Sequence, residues 1–250
     1  MAKKAMILAA GEGSRLLPLT KDKPKALVPF HGVAMLEILM IRLIKAGFKD
    51  IVINVHHHKE QIIDFVSNNN GFGARVEFSV EEDLLDTGGG IKHAISKLGS
   101  EPVLFHNVDV LTGIDLVQFY NDHMEWGGIA SLAVKERPTS RQLLFNKHAF
   151  MSGWQHPEKR IKIVSRNGRD FLETAFSGVY ILDPSMYDLF PEEDVFSFTP
   201  WILELSGSND IRGWEHDQDY WFDLGTPSNL SKAEKMLKRD TEQDGTFILP

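Results

Sequence analysis

The chain contains no cysteine. Disulfides, thiolate metal sites and a cysteine nucleophile are therefore excluded, although the compartment is not fixed by this alone. Basic residues are in the minority. Against 27 lysines and arginines stand 35 aspartates and glutamates, a formal net charge of −8. A general nucleic-acid binder shows the opposite balance, so no nucleic-acid partner is expected. Long apolar runs are missing as well. The N-terminal run covers only residues 5–10 before a glycine, too short for a signal peptide or a membrane span. No membrane partner and a cytoplasmic location are the expectation. Also absent are the Gly-Lys-Ser/Thr ending of a Walker loop, a Gly-x-Ser-x-Gly elbow and a His-Glu-x-x-His pair. What remains is 250 residues, 42% hydrophobic and 25% charged. That is an ordinary globular composition, enough for one large domain or two small ones.

Strand-like and helix-like segments alternate in the first half. Strands are predicted at 5–9, 51–55, 76–80 and 102–107, the first a continuous apolar run expected to be buried on both faces. Between them, periodicity predicts helices at 35–46, 59–66, 89–98 and 114–123. This spacing implies βαβ crossovers and an α/β fold with a mainly parallel sheet. Ligands in such sheets sit beyond the carboxyl ends of the strands, which selects the loops 10–24, 81–90 and 107–112. The second half changes character. Strands are expected at 129–134, 142–145, 161–164 and 178–182, without long helices between them, as a mixed or antiparallel extension. A last amphipathic helix covers 226–239, with Thr226 as N-cap and Pro227 at its first position. A single domain is expected over 1–240, with halves of about 1–125 and 126–240, and a C-terminal tail over 241–250.

The loop after the first strand carries the chemistry. Ala9, Ala10, Gly11 and Gly13 let backbone approach a ligand closely. Successive N–H groups there form a concave anion site. Arg15 offers a bidentate grip on phosphate, and Lys25 adds a point charge. In an acidic protein, this is what a triphosphate requires. The Gly-x-Gly-x-x-Gly dinucleotide loop is not matched, since Leu16 stands at the last position.

The stretch from Leu8 through Arg15-Leu16-Leu17-Pro18-Leu19-Thr20 to Pro24-Lys25 and Pro29 resembles the signature of the sugar-1-phosphate nucleotidylyltransferases. The resemblance continues through Asp86-Thr87-Gly88-Gly89-Gly90, Asn107-Val108-Asp109, Ser177-Gly178-Val179-Tyr180 and Trp221-Phe222-Asp223-Leu224-Gly225-Thr226. It implies a Rossmann-like three-layer sandwich of the nucleotide-diphospho-sugar transferase type. It also implies Mg²⁺ as cofactor, with a nucleoside triphosphate and a sugar 1-phosphate as substrates. Arg15 and Lys25 would be catalytic. Leu8, Ala9, Ala10, Gly11, Gly13, Glu81, Thr87 and Gly88 would hold the nucleotide, with Glu81 helping to select the base and the free N–H of Gly88 meeting it. Asn107, Glu173, Ser177 and Gly178 would line the sugar site. Asp109 and Asp223 would bind the metal, with Asp217 and Asp219 close to the latter in sequence.

The short length and the Thr-Gly-Gly-Gly element look most like compact bacterial N-acetylmuramate-1-phosphate uridylyltransferases of cell-wall recycling. GTP with mannose or heptose 1-phosphate is the alternative. A glycosyltransferase related to this sheet usually needs Asp-x-Asp, where this chain has Asn107-Val108-Asp109. A non-catalytic nucleotide-sensing subunit would be expected to lose one of the four charged positions. A monomer or small homo-oligomer is expected. One departure stands out. The Glu-Lys-Pro element of longer relatives is missing, and Arg137, Arg160 or Arg166 are the cations in that region. The consecutive His56, His57 and His58 are read as loop packing.

Overall fold

A computed structural model describes residues 3–168 and 170–244, without the side chains of 238–244. In chain order, its strands and helices begin with β1 (Lys3–Leu8), the short β2 (Pro29–Phe30) and β3 (Val33–Ala34), α1 (Met35–Lys45), β4 (Phe48–Val55), α2 (Lys59–Asn68), β5 (Arg75–Val80) and α3 (Asp86–Leu98). Next come β6 (Val103–Asn107), β7 (Val110–Thr112), α4 (Leu116–Trp126), β8 (Ala130–Lys135), β9 (Gln142–Phe145), β10 (Met151–His156), β11 (Ile161–Val164) and β12 (Leu172–Leu182). The last four are α5 (Phe198–Leu205), β13 (Ile211–Glu215), β14 (Trp221–Asp223) and α6 (Pro227–Asp244). Of the tail expected at 241–250, residues 241–244 continue α6, and 245–250 lie outside the described residues. Among the described residues no helix is long and apolar enough to cross a membrane.

The chain divides into two compact units. The first takes in residues 3–84, 106–113 and 220–244. Here β1 runs parallel to β4 (Ala5↔Ile51 to Leu8↔Asn54), and β4 parallel to β5 (Asp50↔Arg75 to Val55↔Val80). The first-half expectation of parallel strands with intervening helices is met. Ala5, Met6, Ile7 and Leu8 are all buried, as an unbroken apolar run should be. In α1, Leu36, Leu39, Met40 and Leu43 repeat at helical spacing and are buried, with the helix packed against β4. A core cluster joins Leu16, Val28, Phe30, Met35, Ile38 and Leu111 with Leu224, Leu230, Ala233 and Leu237. The loop after β1 and the segment from Leu224 onward thus share one core.

Residues 85–105 and 114–219 form the second unit. Its strand β12 is antiparallel first to β9 (Leu172–Thr174) and then to β8 (Ala175–Leu182). The register shifts between Phe176 and Tyr180, and Gly178 sits there at φ +74°. A bulge at a glycine lets one long strand change partners. Strand β10 lies between β9 and β11, both antiparallel, and β13 runs parallel to β8. This is the mixed extension expected. Helix α3 starts at Asp86, three residues before the expected Gly89. Helix α4 is capped by Asp115, whose carboxylate accepts from Val117 and Gln118 N–H; such a cap contributes about 1 kcal/mol.

Three of the buried histidines are held neutral: His106 in the first unit, His123 and His216 in the second. Burial, helped by the charge of Arg42, pushes the His106 imidazole down to about 3. Burial lowers His123 to about 4, and burial with Lys135 lowers His216 to about 4. Each of these rings is neutral when folded at pH 5 but protonated in the unfolded chain. The unfolded state then binds more protons, so stability falls as pH drops below about 6.5. Urea unfolding at pH 7 and pH 5 should show a loss of about 2 kcal/mol from each of the three. A stability that is level or higher at pH 5 would contradict this.

Candidate active site

Leu16 is buried in the shared core, and this fixes the loop after β1. Just before it, Gly13 stands at φ +70° and opens a single 3₁₀ turn, Ser14–Leu16. Its carbonyl accepts from Leu16 N–H and from Thr20 Oγ1, each at 2.8 Å. A Cβ at Gly13 would come within 2.9 Å of both Lys25 Cβ and Thr20 Cγ2. Glycine is therefore needed here on two counts, backbone angle and space. The turn leaves the Arg15 side chain 64% exposed, while Lys25 is only 16% exposed.

Two carboxylates face these cations. Asp109 lies between β6 and β7, and Asp223 ends β14. Strands β7 and β14 pair antiparallel, with Asp223 opposite Val110, and Leu224 N–H donates to the Asp109 carbonyl at 2.8 Å. This short ladder brings together residues that are far apart in sequence. Lys25 Nζ donates to Asp109 Oδ2 at 3.2 Å. Arg15 lies 4.0 Å from Asp109 Oδ2 and 3.7 Å from Asp223 Oδ2. Burial alone would push the Asp109 carboxyl up. The charge and hydrogen bond of Lys25, the backbone and Arg15 outweigh it and hold the group below the usual carboxylate range. Asp109 is therefore an anion at neutral pH.

Gly225 lies against three of these four residues. A Cβ there would sit 2.7 Å from Arg15 Nη2, 2.8 Å from Asp223 Oδ1 and 3.1 Å from Asp109 Oδ2. The missing side chain leaves a small gap between two carboxylate oxygens and the Arg15 guanidinium. Two carboxylates plus phosphate oxygens and water form a donor set suited to Mg²⁺. Asp217 and Asp219, the neighbours in sequence, lie in the second unit. Asp217 accepts from Glu136 N–H at 2.7 Å, and Asp219 lies 3.8 Å from His216 Nδ1.

The other expected nucleotide contacts are placed less simply. Leu8, Ala9 and Ala10 are buried, and Ala9 N–H is already donated to Asn54 Oδ1 at 2.7 Å. Glu81 is buried and accepts from Asn54 Nδ2 at 2.7 Å. A Cβ on Gly11 would lie 3.3 Å from Lys25 Nζ. In the second unit, Thr87 N–H donates to its neighbour Asp86. The N–H of Gly88, expected to be free, donates with that of Gly89 to the Phe196 carbonyl at 3.0 and 3.2 Å. A Cβ on Gly88 would strike the Phe196 ring, and one on Gly89 the Asp194 carbonyl. These glycines admit a close approach of backbone rather than leaving donors open.

Of the residues expected to line a sugar site, Asn107 ends β6 in the first unit. Glu173 is exposed on β12, opposite Leu144. Ser177 is fully buried, its hydroxyl 2.7 Å from His216 Nε2. Gly178 forms the bulge. Arg166 is tied to Asp210 and to the Ser206 and Asn209 carbonyls, while Arg137 donates to the Phe176 carbonyl at 2.8 Å, beside Ser177. His56 Nδ1 lies 3.0 Å from the Glu81 carbonyl. Sequence reasoning missed Asn54, His216 and Gly225 as site-building residues. A signal existed for Asn54, the one amide inside the apolar run 51–55.

The Lys25–Asp109 pair should dominate local stability. Lys25→Met leaves a buried carboxylate facing only Arg15, at an expected cost of about 3 kcal/mol. Asp109→Asn leaves a lysine that can reach water and should cost about 1 kcal/mol or less. Urea unfolding of both variants decides the order; the reverse order would refute the dependence of Asp109 on Lys25.

Known proteins share this arrangement of chain and fold. Residues 4–145 match the family described as nucleotidyl transferase. The N-acetylmuramate alpha-1-phosphate uridylyltransferase of Neisseria meningitidis serogroup B is 32% identical over 240 residues, covering 93% of this chain and 97% of that protein. The D-glycero-alpha-D-manno-heptose 1-phosphate guanylyltransferase of Aneurinibacillus thermoaerophilus is 26% identical over 94% of this chain and 98% of that protein. Among solved structures, HddC from Yersinia pseudotuberculosis complexed with GMP-PN superposes with a TM-score of 0.74 at 24% identity, covering 94% of this chain and 99% of that one, a likeness of fold. A family match over more than half of the chain, with a relative aligned along nearly its whole length, places this protein in the nucleotidyl transferase family, among its sugar-1-phosphate nucleotidyltransferases.

Proposed function

We propose that the chain transfers a nucleoside monophosphate from a nucleoside triphosphate to a sugar 1-phosphate, with UTP and N-acetylmuramate 1-phosphate as the preferred pair. The quartet of Arg15, Lys25, Asp109 and Asp223, with Gly225 against three of them, carries the reading. The meningococcal relative, aligned end to end, supports the choice of substrates.

An oxygen of the sugar phosphate attacks the α-phosphorus, and the bond to the β-phosphate breaks to release pyrophosphate. The nucleophile is already an anion, so no general base is needed. Catalysis is positioning and charge neutralisation. Lys25, partly buried, is placed to lie between the two approaching phosphates. Arg15, more exposed, grips the departing pyrophosphate with its planar fork. Asp109 and Asp223 would hold a divalent cation, which when bound offsets phosphate charge and orients the triphosphate. The two cations that now face carboxylates are then shared with phosphates. Arg137, next to Ser177, is the candidate for the cation otherwise supplied by the missing Glu-Lys-Pro lysine.

Pyrophosphate release should be followed for UTP, GTP, CTP and dTTP, each with N-acetylmuramate, mannose, glucose and heptose 1-phosphates, in Mg²⁺. The highest kcat/KM is expected for UTP with N-acetylmuramate 1-phosphate. A preference for GTP with mannose or heptose 1-phosphate would move the substrate assignment to the guanylyl branch. No turnover with any pair in folded protein would sink the proposal. Lys25→Ala and Asp109→Ala should each lower turnover by about 10²-fold or more, and Gly225→Ala should do so by pushing the quartet apart. Near-normal rates in these variants would show that the site lies elsewhere.

A further inference from the structure

The second unit holds a cleft of about 460 Å³, a volume within the range of small-molecule sites. The last turns of α4 line it with Asp122, His123, Glu125 and Trp126. The paired strands β8 and β13 add Ser131, Arg212 and Trp214. None of these residues belongs to the charged quartet or to those expected to hold nucleotide, sugar or metal. His123 is 2% exposed, yet only one of its ring nitrogens is engaged. Nδ1 lies 2.9 Å from Ser131 Oγ, and among the described residues no group bonds to Nε2. A buried polar atom without a partner costs stability that a bound ligand or water recovers. Burial lowers this imidazole to about 4, so at neutral pH it would meet a ligand uncharged.

The aromatic groups are held in place. The Trp126 ring meets His123 edge-on at 6.4 Å and Phe150 at 6.0 Å, and Arg212 Cζ stands 5.8 Å from its centroid. A Cβ on Gly128 would strike this ring, so glycine there admits it against the backbone. Trp214 Nε1 donates to Asp122 Oδ2 at 2.7 Å, and Asp122 Oδ1 accepts from Gln118 Nε2 at 3.0 Å. Both Asp122 oxygens thus have partners, which leaves Glu125 and Arg212, both exposed, as the outward charges.

These groups select a class of ligand. Asp122, Glu125 and the carboxyl end of α4 outweigh the one cation, Arg212, so a phosphate is disfavoured. The cationic seat over Trp126 is already taken by Arg212, so an organic cation is disfavoured as well. A neutral molecule with an apolar face for the indole, and hydroxyl groups for the imidazole, carboxylate and guanidinium, fits both conditions. We propose that this cleft binds an uncharged saccharide through Trp126, His123 Nε2, Glu125 and Arg212, with residues distinct from those expected to bind the sugar 1-phosphate. The inference does not depend on the nucleotidyl-transfer reading.

Saturation-transfer NMR titrations with glucose, mannose, N-acetylglucosamine and cellobiose test it on the whole chain. At least one of the four should bind the wild type, and Lys25→Ala should bind it equally. Trp126→Ala and His123→Asn should each weaken that binding about tenfold or more. Two of the variants guard against misfolding. His123→Asn keeps a polar group for Ser131 but places nothing at Nε2. Trp126→Phe keeps an aromatic face and should stay within about threefold of the wild type.

Charged probes fix the class. In Lys25→Ala, glucose 1-phosphate and choline should each bind no more tightly than the best saccharide, and Glu125→Gln should change saccharide affinity by less than about threefold. Tighter binding of glucose 1-phosphate or choline that Trp126→Ala abolishes would make the cleft an ion site and overturn the proposal. Saccharide binding lost in Lys25→Ala would place the ligand at the quartet, with the same result. Equally fatal would be no binding of any of the four saccharides, or binding that Trp126→Ala and His123→Asn leave unchanged in folded protein.

Discussion

A carboxylate that is 6% exposed needs a cation, and at Asp109 that cation is Lys25. Much of the first unit is arranged to keep this pair in place. The 3₁₀ turn at Lys25 brings one partner, the β7–β14 ladder brings the other, and the core around Leu16 and Leu224 holds both supports. Gly225 closes the arrangement by having no side chain to hold it open. The pair is also costly as it stands, since two charges have been drawn out of water. That cost is acceptable where the charges are to be shared with a more highly charged ligand. A net charge of −8 works against such a ligand elsewhere on the surface, so a compact cluster of local cations would have to carry the attraction.

The parallel half was plain in the sequence because its strands are apolar-rich segments, unbroken at 5–9 and interrupted by single polar residues such as Asn54 elsewhere. Residues 5–9, 51–55, 76–80 and 102–107 each fall within a strand or overlap one by all but a residue or two. The later strands were harder. β10 reads Met-Ser-Gly-Trp-Gln-His and shows no clean alternation, while α5 is only eight residues long. The β7–β14 ladder was invisible for a different reason: three residues on each side, more than a hundred apart in the chain, leave no periodic trace. Arg15, Lys25, Asp109 and Asp223 were legible through a motif, and the fold brings all four together. The same motif said less about Glu81 and Gly88. It records which residue types occupy a place, but not whether a carboxylate faces solvent or whether an N–H is already taken by Phe196.

Glycine has three different duties here. At 13 it supplies a left-handed backbone, at 88 and 89 it admits a neighbouring chain segment, and at 225 it leaves a gap among charges. In sequence these look alike, and only the surroundings separate them.

The last of the four charged residues lies more than two hundred positions after the first. Residues 220–237 supply Asp223, the gap at 225 and the apolar wall of Leu224, Leu230, Ala233 and Leu237 for a core begun by the first forty residues. During synthesis, the loop after β1 must therefore wait until that late segment has been made before its core can close. Contacts so distant in sequence are slow to form, and until they do, Asp109 lacks the β14 partner of the strand that follows it. The second unit, residues 85–105 and 114–219, is complete before that segment is made. The chain thus emerges with its second unit complete in sequence while the first still lacks its last segment.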